Sequence, residues 1–150
     1  MTVAAGERDG TFIATKEHRR FVEFATAVRK HRYIGLCFGP AGVGKTLSAR
    51  RYANWDMAEP LIEGWGPRTP DDAVISAALA RSRTVFHTPT MLGTLRSLHD
   101  TLDEHMVRVG ICIEEHADTD GARPGVRDRR RLIELLIIDE SERLSTTAID

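Results

Sequence analysis

The sequence predicts an α/β fold, a mostly parallel sheet covered by helices, on three observations. A short apolar and aromatic run, Tyr33 to Phe38 (YIGLCF), hands over through the glycine-rich turn Gly39 to Thr46 (GPAGVGKT) to a segment of helix formers, Leu47 to Trp55. A second apolar run, Leu135 to Ile138, ends in two acids, Asp139 and Glu140. Between the two, Leu95, Leu98, Leu102, Met106 and Val109 recur at steps of three and four, the spacing of a helix with one apolar face.

Each element has its own local reason. Residues 1–10 are polar and small and are expected to be disordered, with order beginning near Thr11. From Thr15, Phe21, Phe24, Ala25 and Val28 stand at helical spacing, Thr15 serves as the N-cap, and Arg29, Lys30 and Arg32 suit the negative helix end. Tyr33 to Phe38 is expected as a covered strand and Leu47 to Trp55 as a helix. Glu59 to Pro70, rich in Gly and Pro and holding Trp65, is expected as an irregular connection. Asp71 and Asp72 cap a helix that runs to about Arg81, and Arg83 to Thr88 forms a strand ended by Pro89. The long helix from Gly93 continues toward Cys112, with Met91 and Leu92 expected in the core. His116 to Arg131 is expected as an exposed loop leading into the strand Leu132 to Glu140 (LIELLIIDE).

The eight residues Gly39, Pro40, Ala41, Gly42, Val43, Gly44, Lys45 and Thr46 fill the pattern G-x-x-x-x-G-K-[ST], and with Leu47 they form the expected phosphate-binding set. Glycines let the backbone curl so that its N–H groups face one concavity. The following helix adds its positive end, Lys45 brings a full charge to the outer phosphates, and the Thr46 hydroxyl is left for magnesium. Asp139, at the tip of a parallel strand ending at the same sheet edge, is expected on the same magnesium. Glu140 stands where a carboxylate polarises water for attack on the terminal phosphate, which disfavours a nucleotide kinase or a small GTPase.

Bulk properties bound the rest. The 150 residues suffice for one domain with a core, and 41% hydrophobic with 29% charged residues is ordinary globular composition. A formal net charge of −1 gives no overall drive toward nucleic acid, so local patches must supply it. Three basic runs exist: His18 to Arg20, Arg29 to Arg32, and Arg127 with Arg129 to Arg131. They are either DNA-phosphate contacts or solvated faces offset by Asp118, Asp120 and Asp128. His99, His105, His116 and Cys112 give no four-ligand zinc spacing. No run is long enough to cross a bilayer and the N-terminus lacks a secretion signal. The expectation is therefore a cytoplasmic protein without a membrane partner, with Cys37 and Cys112 as buried thiols.

GPAGVGKT and LLIIDE together resemble the AAA+ ATPase superfamily, whose fold is the three-layer P-loop NTPase sandwich. The stretch from His18 to Asp56, with RTVFHTP and LLIIDESERL downstream, is similar to the transposition-helper branch, the TniB-like and MuB-like ATP-binding regulators. The likeness covers Thr11 to Leu144. It implies ATP and magnesium as ligands, Lys45 on the phosphates, Thr46 and Asp139 on magnesium, and Glu140 as the catalytic base. It further implies DNA and a transposase as partners and a homo-oligomer in the full-length form.

In that family the acidic pair is followed by a sensor strand, an arginine that reaches a neighbouring subunit, and a helical lid. On this expectation residues 11–150 are a partial AAA+ nucleotide-binding domain lacking the C-terminal part of the core and the lid, and alone a weak or inactive ATPase. The family's sensor strand lies between the phosphate-loop strand and the acidic-pair strand, so its absence would open the sheet. The alternative is direct pairing of those two strands, as in kinase-type folds. A non-catalytic nucleotide-binding remnant and a small-molecule or nucleoside kinase stand as alternative functions.

Overall fold

The computed structural model describes residues 12–119, 121 and 128–144. The segment expected to be disordered, residues 1–10, lies outside them, as does Arg127. Helix α1 spans Lys16–His31, and its N-cap Thr15 accepts from the His18 N–H at 3.1 Å. Three of its last residues are basic, which suits the negative helix end. Helix α2, Lys45–Tyr52, starts directly from the glycine-rich turn.

Helix α3, Trp55–Glu63, occupies the first part of the stretch expected to be irregular. Pro60 sits inside it, at a cost of about 3 kcal/mol for an interior position. Trp55, Ala58 and Ile62 share the opposite face and are at most 2% exposed. Burying each large side chain returns about 1.5–3 kcal/mol, which offsets the proline. Gly64 then ends the helix. Helix α4, Asp72–Ser82, lacks the side-chain cap expected of Asp71; the Asp72 carboxylate instead turns back to accept from the Thr69 N–H at 2.8 Å.

Strands β1, Thr84–His87, and β2, Leu135–Ile138, pair in parallel in the register Thr84↔Leu135 to His87↔Ile138. The crossover between them holds α5, Leu95–Thr119, a helix of 25 residues that extends past Cys112 into the segment expected as loop. A 3-10 turn, Arg129–Leu132, precedes β2 and another, Ser141–Arg143, follows it. Consecutive side chains Thr84, Val85 and Phe86 of β1 are all buried, so this strand is covered on both faces, as a parallel strand should be. The core gathers Trp55, Ile62, Leu79, Val85, Phe86, Val109, Cys112 and Ile113. Burial pushes the Cys112 thiol above its usual range.

Three expectations fail around the sheet. Residues 33–38 form no strand: β2 pairs with β1, and no described strand lies beside the phosphate-loop run. Direct pairing of that run with the acidic-pair strand is therefore not the arrangement adopted. Ile34, Leu36 and Phe38 are 97%, 81% and 90% exposed, and Cys37, expected to be buried, is exposed with them. A strand is held by ladder bonds from a neighbour, and apolar composition cannot replace them. Met91 and Leu92 are also exposed rather than core, and Leu95 follows them. The buried face of α5 begins only at His105, where α3 and β1 come within reach.

Candidate functional site

The turn 39–46 is shaped by glycine at the two positions that need it. Gly42 and Gly44 hold φ of 82° and 83°, a left-handed conformation that side chains with a Cβ rarely adopt. Gly44 is the N-cap of α2 and supplies no side-chain cap, so the first N–H groups of the helix face the turn without a side-chain acceptor. Lys45 folds across the turn, donating from Nζ to the carbonyls of Gly39 at 2.7 Å and Pro40 at 2.9 Å. Its ammonium stands at the turn's mouth. Ala41, Val43 and Leu47 are exposed around it.

Polar and ring contacts hold α2 in place against α1, among them the edge-on packing of Phe21 on Tyr52. His18 Nδ1 and Ser48 Oγ lie 3.0 Å apart, and the hydroxyls of Thr26 and Tyr52 are 3.3 Å apart. Burial, with help from the Arg51 charge, lowers the His18 pKa, so its imidazole is neutral near pH 7. Between α1 and the turn lies a cavity of about 290 Å³ with apolar walls that include Phe21, Phe24, Leu36 and Val43, and Lys45 borders it.

The acidic pair reaches the turn from the sheet edge. The Asp139 N–H donates to the His87 carbonyl at 2.9 Å, which extends the β1–β2 ladder by one bond. Thr46 Oγ1 then donates to Asp139 Oδ2 at 2.8 Å, joining residues 93 positions apart in sequence. Lys45, Thr46 and Asp139 therefore converge on one edge. Glu140 takes a left-handed backbone, φ 49°, and its carboxylate pairs with Arg143. Arg143 also donates to the Pro89 carbonyl at 3.4 Å. Sequence reasoning passed over Arg143, although a cation three residues after an acid in a turn is a readable signal; nothing in the sequence pointed to the His18–Ser48 contact.

A hydroxyl and a carboxylate 2.8 Å apart, with a second carboxylate on the next residue, form an all-oxygen donor set suited to a hard cation such as magnesium. Among the described residues no cluster of three or more His, Cys, Asp or Glu side chains could hold a metal unaided.

The basic runs divide. Arg129 pairs with Glu114 at 2.6 Å, and Arg130 with Asp103 at 2.8 Å and Asp128 at 3.0 Å. Those charges are spent within the fold, and the Arg130 guanidinium holds the Asp128 carboxyl below its usual pKa. Arg29 pairs with Glu134 at 2.8 Å. Lys16, Arg19, Arg20 and Lys30 on α1 are exposed.

A family described as "AAA domain" matches residues 28–150. A Staphylococcus aureus protein named "Potential ATP-binding protein" is 32% identical over 153 residues, which covers 95% of this chain and 53% of the relative. The chain thus spans about half the length of the curated relative it matches. No solved structure matches. Among the described residues, no helix is long and apolar enough to cross a membrane.

Proposed function

The chain belongs to the AAA domain family, and from that premise we propose that it binds ATP with magnesium at residues 39–46 and, in a full-length form, hydrolyses it. The observation that carries the reading is the 2.8 Å bond between Thr46 and Asp139, because it brings the hydroxyl of one motif to the carboxylate of the other. The name of the Staphylococcus aureus relative points the same way.

In this proposal the backbone of Gly39 to Gly44 and the α2 N-terminus hold the phosphates, with Lys45 exchanging its two carbonyl partners for phosphate oxygens. Thr46 and Asp139 would hold magnesium, which when bound neutralises charge on the phosphate oxygens. The apolar cavity beside Lys45 takes the base. Glu140 is the catalytic base: it accepts a proton from water as the water oxygen bonds to the terminal phosphorus. The bond from that phosphorus to the bridging oxygen breaks, and its electron pair leaves on ADP. For this Glu140 must leave Arg143, a rotation about one side chain.

The finer proposal is a DNA-transposition helper that assembles as a homo-oligomer on DNA and recruits a transposase. It rests on the sequence likeness and on Lys16, Arg19, Arg20 and Lys30, whose charges have no ion-pair partner among the described residues. Replacing Glu140 by Gln tests the catalytic part. Binding of ATP should persist while phosphate release falls about 10²–10⁴-fold, the usual worth of a general base. Equal release by parent and variant removes Glu140 from the role. Transfer of labelled phosphate to an added acceptor, rather than to water, would favour a kinase.

A further inference from the structure

A second cavity, of about 310 Å³, lies between α3, the end of β1 and the first half of α5, and no residue of the turn 39–46 borders it. Leu95 and Leu98 of α5 give it an apolar wall. His105 lines it and is 6% exposed, and its Nδ1 is buried with no hydrogen-bond partner among the described residues. The rings of His87 and Trp55 flank that imidazole with centroids 5.8 Å and 5.7 Å away. A buried polar atom left unanswered is costly, about 1–3 kcal/mol, and calls for a ligand or another partner.

The charges around the cavity select the ligand's sign. Glu63 is exposed on its rim and makes no ion pair among the described residues. Its carboxylate acts on His87 across the cavity. Glu59, one helical turn earlier, also borders the space but is held by Arg50. Among the described residues of the walls Arg143 is the one arginine or lysine, and it is taken up by Glu140 and by the Pro89 carbonyl. Both imidazoles are held neutral near pH 7, chiefly by burial. A neutral imidazole keeps one nitrogen lone pair to accept a hydrogen bond, whereas an anion would find no unpaired cation among the described wall residues while Glu140 holds Arg143.

We propose that this cavity binds a protonated primary alkylamine, its ammonium between Glu63 and the His87–His105 pair and its apolar stem on Leu95 and Leu98. The amine belongs either to a free small molecule or to a lysine side chain of a partner; both present the same ammonium on the same kind of stem. Arg143 borders this cavity and also holds Glu140, the assigned base, but the amine site uses neither of them nor any residue of the turn 39–46, so its test reads apart from that of ATP binding.

Histidine ring resonances of the labelled full chain report on it directly. Butylammonium should shift the His87 and His105 signals and saturate, and butanol of the same shape should bind at least about threefold more weakly. Replacing Glu63 by Gln, at an exposed position that leaves the fold intact, should weaken butylammonium about threefold to fivefold and leave butanol unchanged. A blocked lysine peptide that shifts the same signals more tightly than butylammonium marks a partner's side chain, and weaker or no binding by it marks a free amine. Equal binding of butylammonium and butanol, shifts that never saturate, or a Glu63→Gln variant with parental affinity would overturn the proposal.

Discussion

Replacing Thr46 by Val removes one hydroxyl and keeps the shape of the side chain, so it isolates the bond to Asp139. In the free protein that bond is exposed and 2.8 Å long. Its net worth is about 1 kcal/mol, or roughly 2–4 °C of melting temperature in a chain of this size. The larger effect appears with nucleotide. At a magnesium-ATP concentration 100 times Kd the parent gains about 2.7 kcal/mol of stability. Loss of a metal-holding hydroxyl should weaken binding by about 100-fold, which leaves about 0.4 kcal/mol of that gain at the same concentration. The difference of about 2.3 kcal/mol corresponds to roughly 5–9 °C less nucleotide-dependent rise in melting temperature. Thermal melts of parent, Thr46→Val and Thr46→Ser, with and without magnesium-ATP, measure it, and Thr46→Ser should track the parent. A Thr46→Val protein whose melting point rises as far as the parent's would refute the claim that Thr46 and Asp139 share a magnesium site.

Lys45→Ala removes the ammonium at the mouth of the turn and should abolish ATP binding by calorimetry; unchanged affinity would defeat the phosphate-loop assignment. Gly110→Ala would set a Cβ 2.6 Å from the Arg129 carbonyl oxygen and 3.0 Å from its carbonyl carbon, both backbone atoms. The clash, about 1–3 kcal/mol, should exceed the helix-propensity gain of about 1 kcal/mol, so the variant melts lower; a higher melting point would show that the 129–132 turn moves freely away. His87 and His105 both have pKa values lowered in the fold, first by burial; the two rings repel when charged, and Arg108 adds to the shift at His105. Glu63 opposes it at His87, and Glu104 and Glu59 oppose it at His105. A base with a depressed folded pKa contributes stability present above its unfolded value near 6.5 and lost as pH falls below it. Melting temperature should therefore drop between pH 7 and pH 5, with a shallower slope in His105→Asn, and an identical slope in that variant would reject the assignment.

Much of the site was legible because its determinants are local. The glycines of GPAGVGKT are needed by the turn's own dihedrals, Lys45 reaches back only five and six residues, and Thr15 caps α1 through an atom three residues on. Where the reading failed, competition over distance decided. Pro60 suggested a break, yet Trp55 and Ile62 gained more from the core than the proline lost. Asp71 and Asp72 were both expected to cap α4, yet Asp71 makes no side-chain cap and the Asp72 carboxylate accepts from the Thr69 N–H, outside the helix. For Arg129 and Arg130 the sequence left open DNA-phosphate contact or a face offset by acids; Arg130 pairs with Asp128 as the second reading had it, and acids on α5, Glu114 and Asp103, complete the pairing.

By itself the sequence determined the elements whose stabilising bonds close within a few residues: the capped start of α1, the glycine-rich turn, and the order of the two motifs along the chain. Only the tertiary structure decided which apolar runs became strands, because a strand's hydrogen bonds belong to its neighbour. Thus 135–138 found β1 and entered the sheet, while 33–38, equally apolar, found no ladder and stays exposed. The meeting of Thr46 with Asp139 across 93 positions is likewise a property of that pairing, since it is the register of β2 on His87 that delivers the carboxylate.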